Sequence, residues 1–293
     1  MITIKKKIKK TLKNRPFLFF IAKTILNILN LNYILIFFKF LFHQIRIHFC
    51  YLFQTKIEQD FFLNAGISPT RLKDLEELLN LQITKFLKKK HTRKFCYIEV
   101  GVFLGQTTEV LGSLLKKRLG DNFEIIVIDP FTPYTKTFPY DFIIRSVDKY
   151  FIHNMKVKGL FKYLYFIKNL SSLGFKILKD KKTCYDFCFV DGSHKYHDIL
   201  KDIKNFSEIR FIDHGNKYYN GVLVGDDYEF SYKELCNIDK KKEKILLNLK
   251  KNNLFNDSMV TYENHWFHPG VTFAIHDSAL KINKTTNGLW ILK

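Results

Sequence analysis

Three aspartates stand where chemistry could be done. Phe189-Val190-Asp191-Gly192-Ser193-His194-Lys195-Tyr196 and Gly221-Val222-Leu223-Val224-Gly225-Asp226-Asp227-Tyr228 each pass from an apolar run into acidic and polar residues. On neighbouring parallel strands the ends of these runs lie about 4.8 Å apart, and Asp191, Asp226 and Asp227 then converge. Converging carboxylates repel one another unless a cation lies among them. Mg2+, or another divalent cation, takes oxygen ligands at about 2.1 Å and suits such a set. The alternative, separate caps and turns, fits any one acid and is strained for all three.

A second group has the character of a cofactor turn. Glu99-Val100-Gly101-Val102-Phe103-Leu104-Gly105 leads into Gln106-Thr107-Thr108 at the start of a helix. Gly101 lets the chain turn away from a strand, and Gly105 lets the helix begin close to a ligand with no Cβ in the way. A dinucleotide fingerprint carries three glycines. Two glycines at this spacing fit a more compact cofactor and argue against a nicotinamide oxidoreductase. Asp129 closes the next apolar run and is placed to accept hydrogen bonds from ribose hydroxyls, or else to cap a helix.

These residues need elements to position them. Apolar runs at residues 95–100, 124–128, 163–167, 186–190 and 221–224 alternate with longer helical segments. Runs without polar alternation read as strands buried on both faces, which implies an α/β fold: a Rossmann-like, doubly wound, mostly parallel sheet with helices on both faces. Ligands bind such sheets at the carboxyl ends of the strands, where every candidate above lies. Ahead of the sheet, Ser68-Pro69 supplies a helix cap and first-turn proline, with Leu72, Leu75, Leu78, Leu79 and Ile83 at helical spacing. The expected organisation is an N-terminal helical arm over residues 1–60, a helical lead-in over 61–92 and the α/β domain over 93–293.

The set Glu99-x-Gly101-x-x-x-Gly105, Asp129, Asp191-Gly192-Ser193-His194-x-Tyr196 with Asp202, Gly225-Asp226-Asp227-Tyr228 and His268-Pro269-Gly270-Val271 resembles class I S-adenosylmethionine-dependent methyltransferases. Within them it is most similar to the metal-dependent O-methyltransferase group that includes macrocin O-methyltransferase and cephalosporin-hydroxylase-like proteins. The resemblance spans residues 93–293, including Leu289-Trp290-Ile291-Leu292-Lys293 as the last strand. It implies that Asp191, Asp226 and Asp227 hold Mg2+ and that His194 is the general base. It also implies that Glu99, Gly101, Gly105, Asp129 and Ser171 bind S-adenosylmethionine and that the acceptor is a hydroxyl of a small molecule or glycan. The sequence departs from the group at residues 168–172, where Lys-Asn-Leu-Ser-Ser replaces the usual acid on the adenine side, and in the long lysine-rich stretch between Tyr228 and His268. His197, His265 and His268 read as structural or surface residues.

The chain has 293 residues and a net charge of +20, of which residues 1–60 carry +9 (nine Lys and two Arg against two acids). Such a balance raises nucleic acid as a partner, but the aromatics fall in apolar runs rather than among basic clusters, and binding to nucleic acid is not expected. The other alternative is a membrane-associated protein whose methyltransferase fold is inactive. Residues 1–15 hold seven basic residues and no acid, and residues 17–53 are rich in Phe, Leu and Ile. No small-residue cleavage site follows, as a signal peptide would require. The window from Phe17 to Phe38 contains Lys23, Asn27, Asn30 and Asn32, which makes a membrane span marginal. Attachment to an anionic membrane surface and a core-packing helical extension are the other two readings. Five cysteines without regular spacing fit a reducing, cytoplasmic setting, at the inner face of the membrane where the arm binds lipid.

Overall fold

The computed structural model describes residues 31–58, 67–89, 91–132, 146–213, 219–238, 244, 247, 260–262 and 265–292. The described residues fall into two compact units, 31–56 in one and those of 57–132 and 146–292 in the other.

The first unit contributes helix α1, Leu31–Phe53. It holds no acidic residue, and Phe38, Leu41, Phe42, Ile45, Phe49, Leu52 and Phe53 are exposed. No helix among the described residues is long and apolar enough to cross a membrane.

The second unit is the α/β body. Its elements in chain order are α2 Pro69–Lys88, β1 Phe95–Val100, α3 Gln106–Leu119, β2 Phe123–Ile128, α4 Val147–Val157, β3 Leu164–Ile167, α5 Ser171–Asp180, β4 Phe187–Val190, α6 Tyr196–Glu208, β5 Val222–Gly225 and α7 Tyr232–Ile238. A hairpin of β6 Val260–Tyr262 and β7 His265–Phe267, then α8 Pro269–Asp277, β8 Ile282–Lys284 and β9 Trp290–Leu292 complete it. Seven strands form one sheet in the order β3-β2-β1-β4-β5-β9-β8. The pairs among β1 to β5 are parallel, and β9 lies antiparallel to both β5 and β8. The strand order reverses between β1 and β4, which opens the ligand crevice of a doubly wound sheet at their carboxyl ends.

Burial on both faces follows from the sequence. All six residues of β1 are buried. Alternate residues point opposite ways along a strand: Cys96, Ile98 and Val100 join Cys188, Val190 and Leu223 in a cluster with Leu178 of α5, Ile199, Ile203 and Phe206 of α6, and Val271, Ala274 and Ile275 of α8. On the other face Phe95 meets Phe86 of α2 edge-on at 5.3 Å. A Cβ added to Gly112 of α3 would come within 3.0 Å of Ile125. Burying each such aliphatic or aromatic side chain contributes about 1.5–3 kcal/mol. Ser68 caps α2 as the sequence indicates, its hydroxyl accepting from the Arg71 N–H.

One charged group lies beneath this body. Asp186 is fully buried just ahead of β4, with Arg93 donating to both of its oxygens at 2.6 and 2.5 Å, the Cys96 N–H at 2.8 Å, and the Tyr219 hydroxyl bonded as well. The Arg93 guanidinium lies 4.1 Å from the centre of the Phe211 ring. That pairing and ring contact compensate an otherwise costly buried carboxylate.

Candidate active site

The ladder continues past the strand ends and sets the site residues side by side. Asp129 N–H donates to the Ile167 carbonyl, Gly101 N–H to Ile128, Asp191 N–H to Val100 and Asp226 N–H to Val190. Asp129, Gly101, Asp191 and Asp226 therefore form one row along the carboxyl edge of β2, β1, β4 and β5. The two aspartate-bearing runs are neighbours, with Val190 paired to Gly225.

Gly101 and Gly105 both have left-handed backbones, at φ +82° and +84°. A Cβ on Gly101 would sit 2.0 Å from the Asp191 carbonyl oxygen, so only glycine lets β1 turn beneath the end of β4. A Cβ on Gly105 would meet Phe151 and Met155 of α4 at 2.8 Å, so this glycine also permits close packing of α4 against the start of α3.

Asp129 is buried beneath this turn. Its Oδ2 accepts from Val102 and Phe103 at 2.9 and 3.3 Å, and its Oδ1 from Phe131 at 2.6 Å. It fixes the loop around the crevice through backbone N–H groups. Phe103 and Phe131 hold positive φ, 45° and 50°, a conformation disfavoured for bulky side chains and concentrated at functional loops. Glu99 is buried and accepts a 2.7 Å bond from the Tyr97 hydroxyl. Burial pushes its carboxyl up to about 8 against opposing hydrogen bonds from Tyr97 and Thr108. Gln106 opens α3, and its Oε1 is buried without a hydrogen-bond partner. An acceptor in that state at a helix start is open to a donor from a bound molecule or water. Ser171 opens α5, and its hydroxyl bonds to Asp202 of α6, which burial pushes up to about 7.

The acid cluster lies beyond β4 and β5. His194 Nε2 is 2.6 Å from Asp227 Oδ2, and His194 retains 35% side-chain exposure. The His268 ring stacks on His194 with centroids 4.4 Å apart, and its Nδ1 lies 3.7 Å from Asp227 and 3.6 Å from Glu229. His268, read from the sequence as a bystander, is therefore part of the site. Gly270 makes this possible, since a Cβ there would lie 2.2 Å from the His194 carbonyl. Asp227 itself has φ +61°, a further non-glycine residue held in the left-handed region.

A residue that sequence reasoning missed occupies the centre. Arg71, in the first turn of α2, places Nη1 2.7 Å from Asp226 Oδ1 and 2.8 Å from Asp227 Oδ1, and Nη2 2.8 Å from Glu229 Oε1. Its Nε donates to the Asn287 carbonyl at 2.7 Å. Burial opposes the guanidinium charge, but Asp226, Glu229 and Asp227 outweigh it and hold Arg71 protonated. One cation does not neutralise four acids. Asp226 is pushed up to about 7 by burial and then by Asp227, and Asp191 is raised well above the carboxylate range by desolvation and by Asp226 and Asp227. Burial alone would raise Asp227 too, yet the His194 hydrogen bond and the nearby His194, His268 and Arg71 charges hold it low. His194, Asp227 and His268 also offer three ligand atoms within 4.8 Å of one another.

A family model described as a methyltransferase domain matches residues 98–228, from β1 to just beyond Asp227. None of the curated proteins matches the chain in sequence. Among solved structures, the chain is similar to an O-methyltransferase from Bacillus cereus in complex with SAH, at 12% identity and TM-score 0.42, over 78% of this chain and 84% of that one. It is also similar to the O-methyltransferase TomG from Streptomyces achromogenes in complex with SAM, at 14% identity and TM-score 0.46, over 85% of this chain and 95% of that one. The glycine turn and the row of acids fall within residues 98–228, the stretch that matches the methyltransferase-domain model, on a Rossmann-like, doubly wound sheet.

Proposed function

We propose that the chain transfers a methyl group to a hydroxyl oxygen of a small molecule or glycan, with His194 as the general base. The observation that carries this reading is the 2.6 Å contact from His194 Nε2 to Asp227 Oδ2 at the mouth of the acid cluster. Bound S-adenosylmethionine would supply an electrophilic methyl carbon. Glu99, Gly101, Gly105, Asp129 and Gln106 frame the crevice that would hold it, and the unpaired Gln106 Oε1 suits its ammonium group. The Ser171 hydroxyl is bonded to Asp202 of α6.

The chain's own groups then have separate tasks. A neutral hydroxyl is a weak nucleophile near neutral pH, and a base within hydrogen-bond reach removes its proton as it reacts. Asp227 holds the His194 proton on Nε2, which leaves Nδ1 as the accepting atom. Asp191 and Asp226 accept hydrogen bonds from further hydroxyls, which fits a polyol or sugar. The excess of carboxylates over Arg71 repels phosphates and so disfavours nucleic acid.

Mg2+ on Asp191, Asp226 and Asp227 fits this arrangement poorly, because Arg71 already spans Asp226 and Asp227. The guanidinium supplies positive charge at the place assigned to the ion. A second reading rests on His194, Asp227 and His268, since two imidazoles and a carboxylate suit Mn2+, Fe2+ or Zn2+ better than Mg2+. There His194 would be a ligand instead of the base.

Methyl-tritiated donor, purified chain and fractionated cell extract test the proposal. Label in ethers that survive mild alkali is expected; label in esters, amines or RNA would refute it. Activity is expected to persist in excess EDTA. Loss in EDTA with recovery on adding Mn2+ or Zn2+ would establish the second reading.

A further inference from the structure

Helix α1 carries an apolar stripe that no catalytic role explains. Phe38, Leu41, Phe42, Ile45, Phe49, Leu52 and Phe53 recur at intervals of three and four residues, the period of one helix face. Every one is exposed, from 44% for Leu41 to 66% for Phe53. Ile47 and Cys50, at other positions of the same helix, are buried. Phe49 and Phe53 stack at 5.9 Å within the stripe, and Arg46 reaches over the Phe42 ring at 5.8 Å. Four adjacent phenylalanines and three aliphatic side chains facing water are costly unless something covers them.

Charge selects the cover. The first acidic residue of the chain is Glu58, and the 57 residues before it contain eleven Lys and Arg. A second copy of the same segment would bring like charge against like charge. A surface of anionic headgroups over acyl chains offers the opposite charge and an apolar layer at once. The helix falls short of a span, which matches a helix lying in the plane of the interface.

We propose that α1 docks this stripe into the headgroup region of an anionic membrane, drawn there by the net positive charge of residues 1–57. The reading is independent of the methyl-transfer proposal.

The test is co-sedimentation of the full chain with phosphatidylcholine vesicles, with and without phosphatidylglycerol, across a salt series. Binding is expected on the phosphatidylglycerol vesicles alone, weakening as salt rises. Phe49→Ser with Leu52→Ser is expected to weaken it by at least about tenfold, given the burial lost from two large side chains. The circular dichroism spectrum and unfolding midpoint of the same variant are expected to match wild type, which shows that the α/β body is folded. Three results would overturn the proposal: no binding to either vesicle, equal binding to both, or a dimer in sedimentation velocity that the double substitution abolishes. The last would assign the stripe to a second copy of the chain.

Discussion

At the scale of single residues, the site runs on the placement of a few charges in a poorly solvated edge. Asp227 is held ionised while Asp226 and Asp191 are pushed toward the protonated form, so adjacent acids divide into an orienting anion and hydrogen-bonding partners. Glu99 is the residue whose protonation is open to direct measurement. Its carboxyl lies at about 8 in the folded chain through burial, with Tyr97, Thr108 and Asp129 around it. An acid raised on folding gives stability that is full below its unfolded value of about 4.5 and is lost as pH rises through about 8. Relative to Glu99→Gln, the wild-type chain should therefore lose on the order of a few kcal/mol between about pH 5 and about pH 8.5, read by denaturant unfolding. A difference that stays constant across that range would mean that Glu99 is ionised throughout. Much of this site is legible in the sequence, because Asp191, Asp226, Asp227 and His194 stand at strand ends. Arg71 is not legible: 155 residues separate it from Asp226, and a lone arginine in a helix's first turn has no local pattern. His268 is hidden for a similar reason, since only the close approach at Gly270 shows which way α8 meets the loop.

At the scale of elements, the strand ends do the positioning. The five parallel strands fall within a residue or two of the apolar runs at 95–100, 124–128, 163–167, 186–190 and 221–224. Burial on both faces leaves apolar runs unbroken, so they are easy to read. The reversed β9 is legible only through family resemblance, as three residues carry no period of their own. Asp186 stands at the foot of β4 and is fixed by Arg93, Tyr219 and the Cys96 N–H, so this cluster sets where β4 begins relative to β1. Arg93→Met keeps much of the side-chain volume but leaves the carboxylate uncompensated. A loss of about 3–5 kcal/mol is expected, measured by chemical denaturation. An unchanged midpoint would show that Tyr219 and the backbone suffice for Asp186.

At the scale of the whole molecule, the α/β body joins two halves of the proposed reaction centre along one sheet edge. The glycine turn, Gln106 and Asp129 frame one half, and Asp191, His194 and Asp227 the other, with Gly101 packed directly against the Asp191 carbonyl. On the proposed function, that contact ties donor binding and proton removal to a single backbone position. The two tasks are nonetheless separable, because His194 lies at the exposed end of the row. The most direct measurement is turnover and S-adenosylmethionine affinity together in His194→Ala. Affinity within about twofold of wild type and turnover lower by about 100-fold or more are the expected results, the range for loss of a general base. Turnover that survives the substitution, or a wild-type chain that fails to bind the donor, would contradict the account.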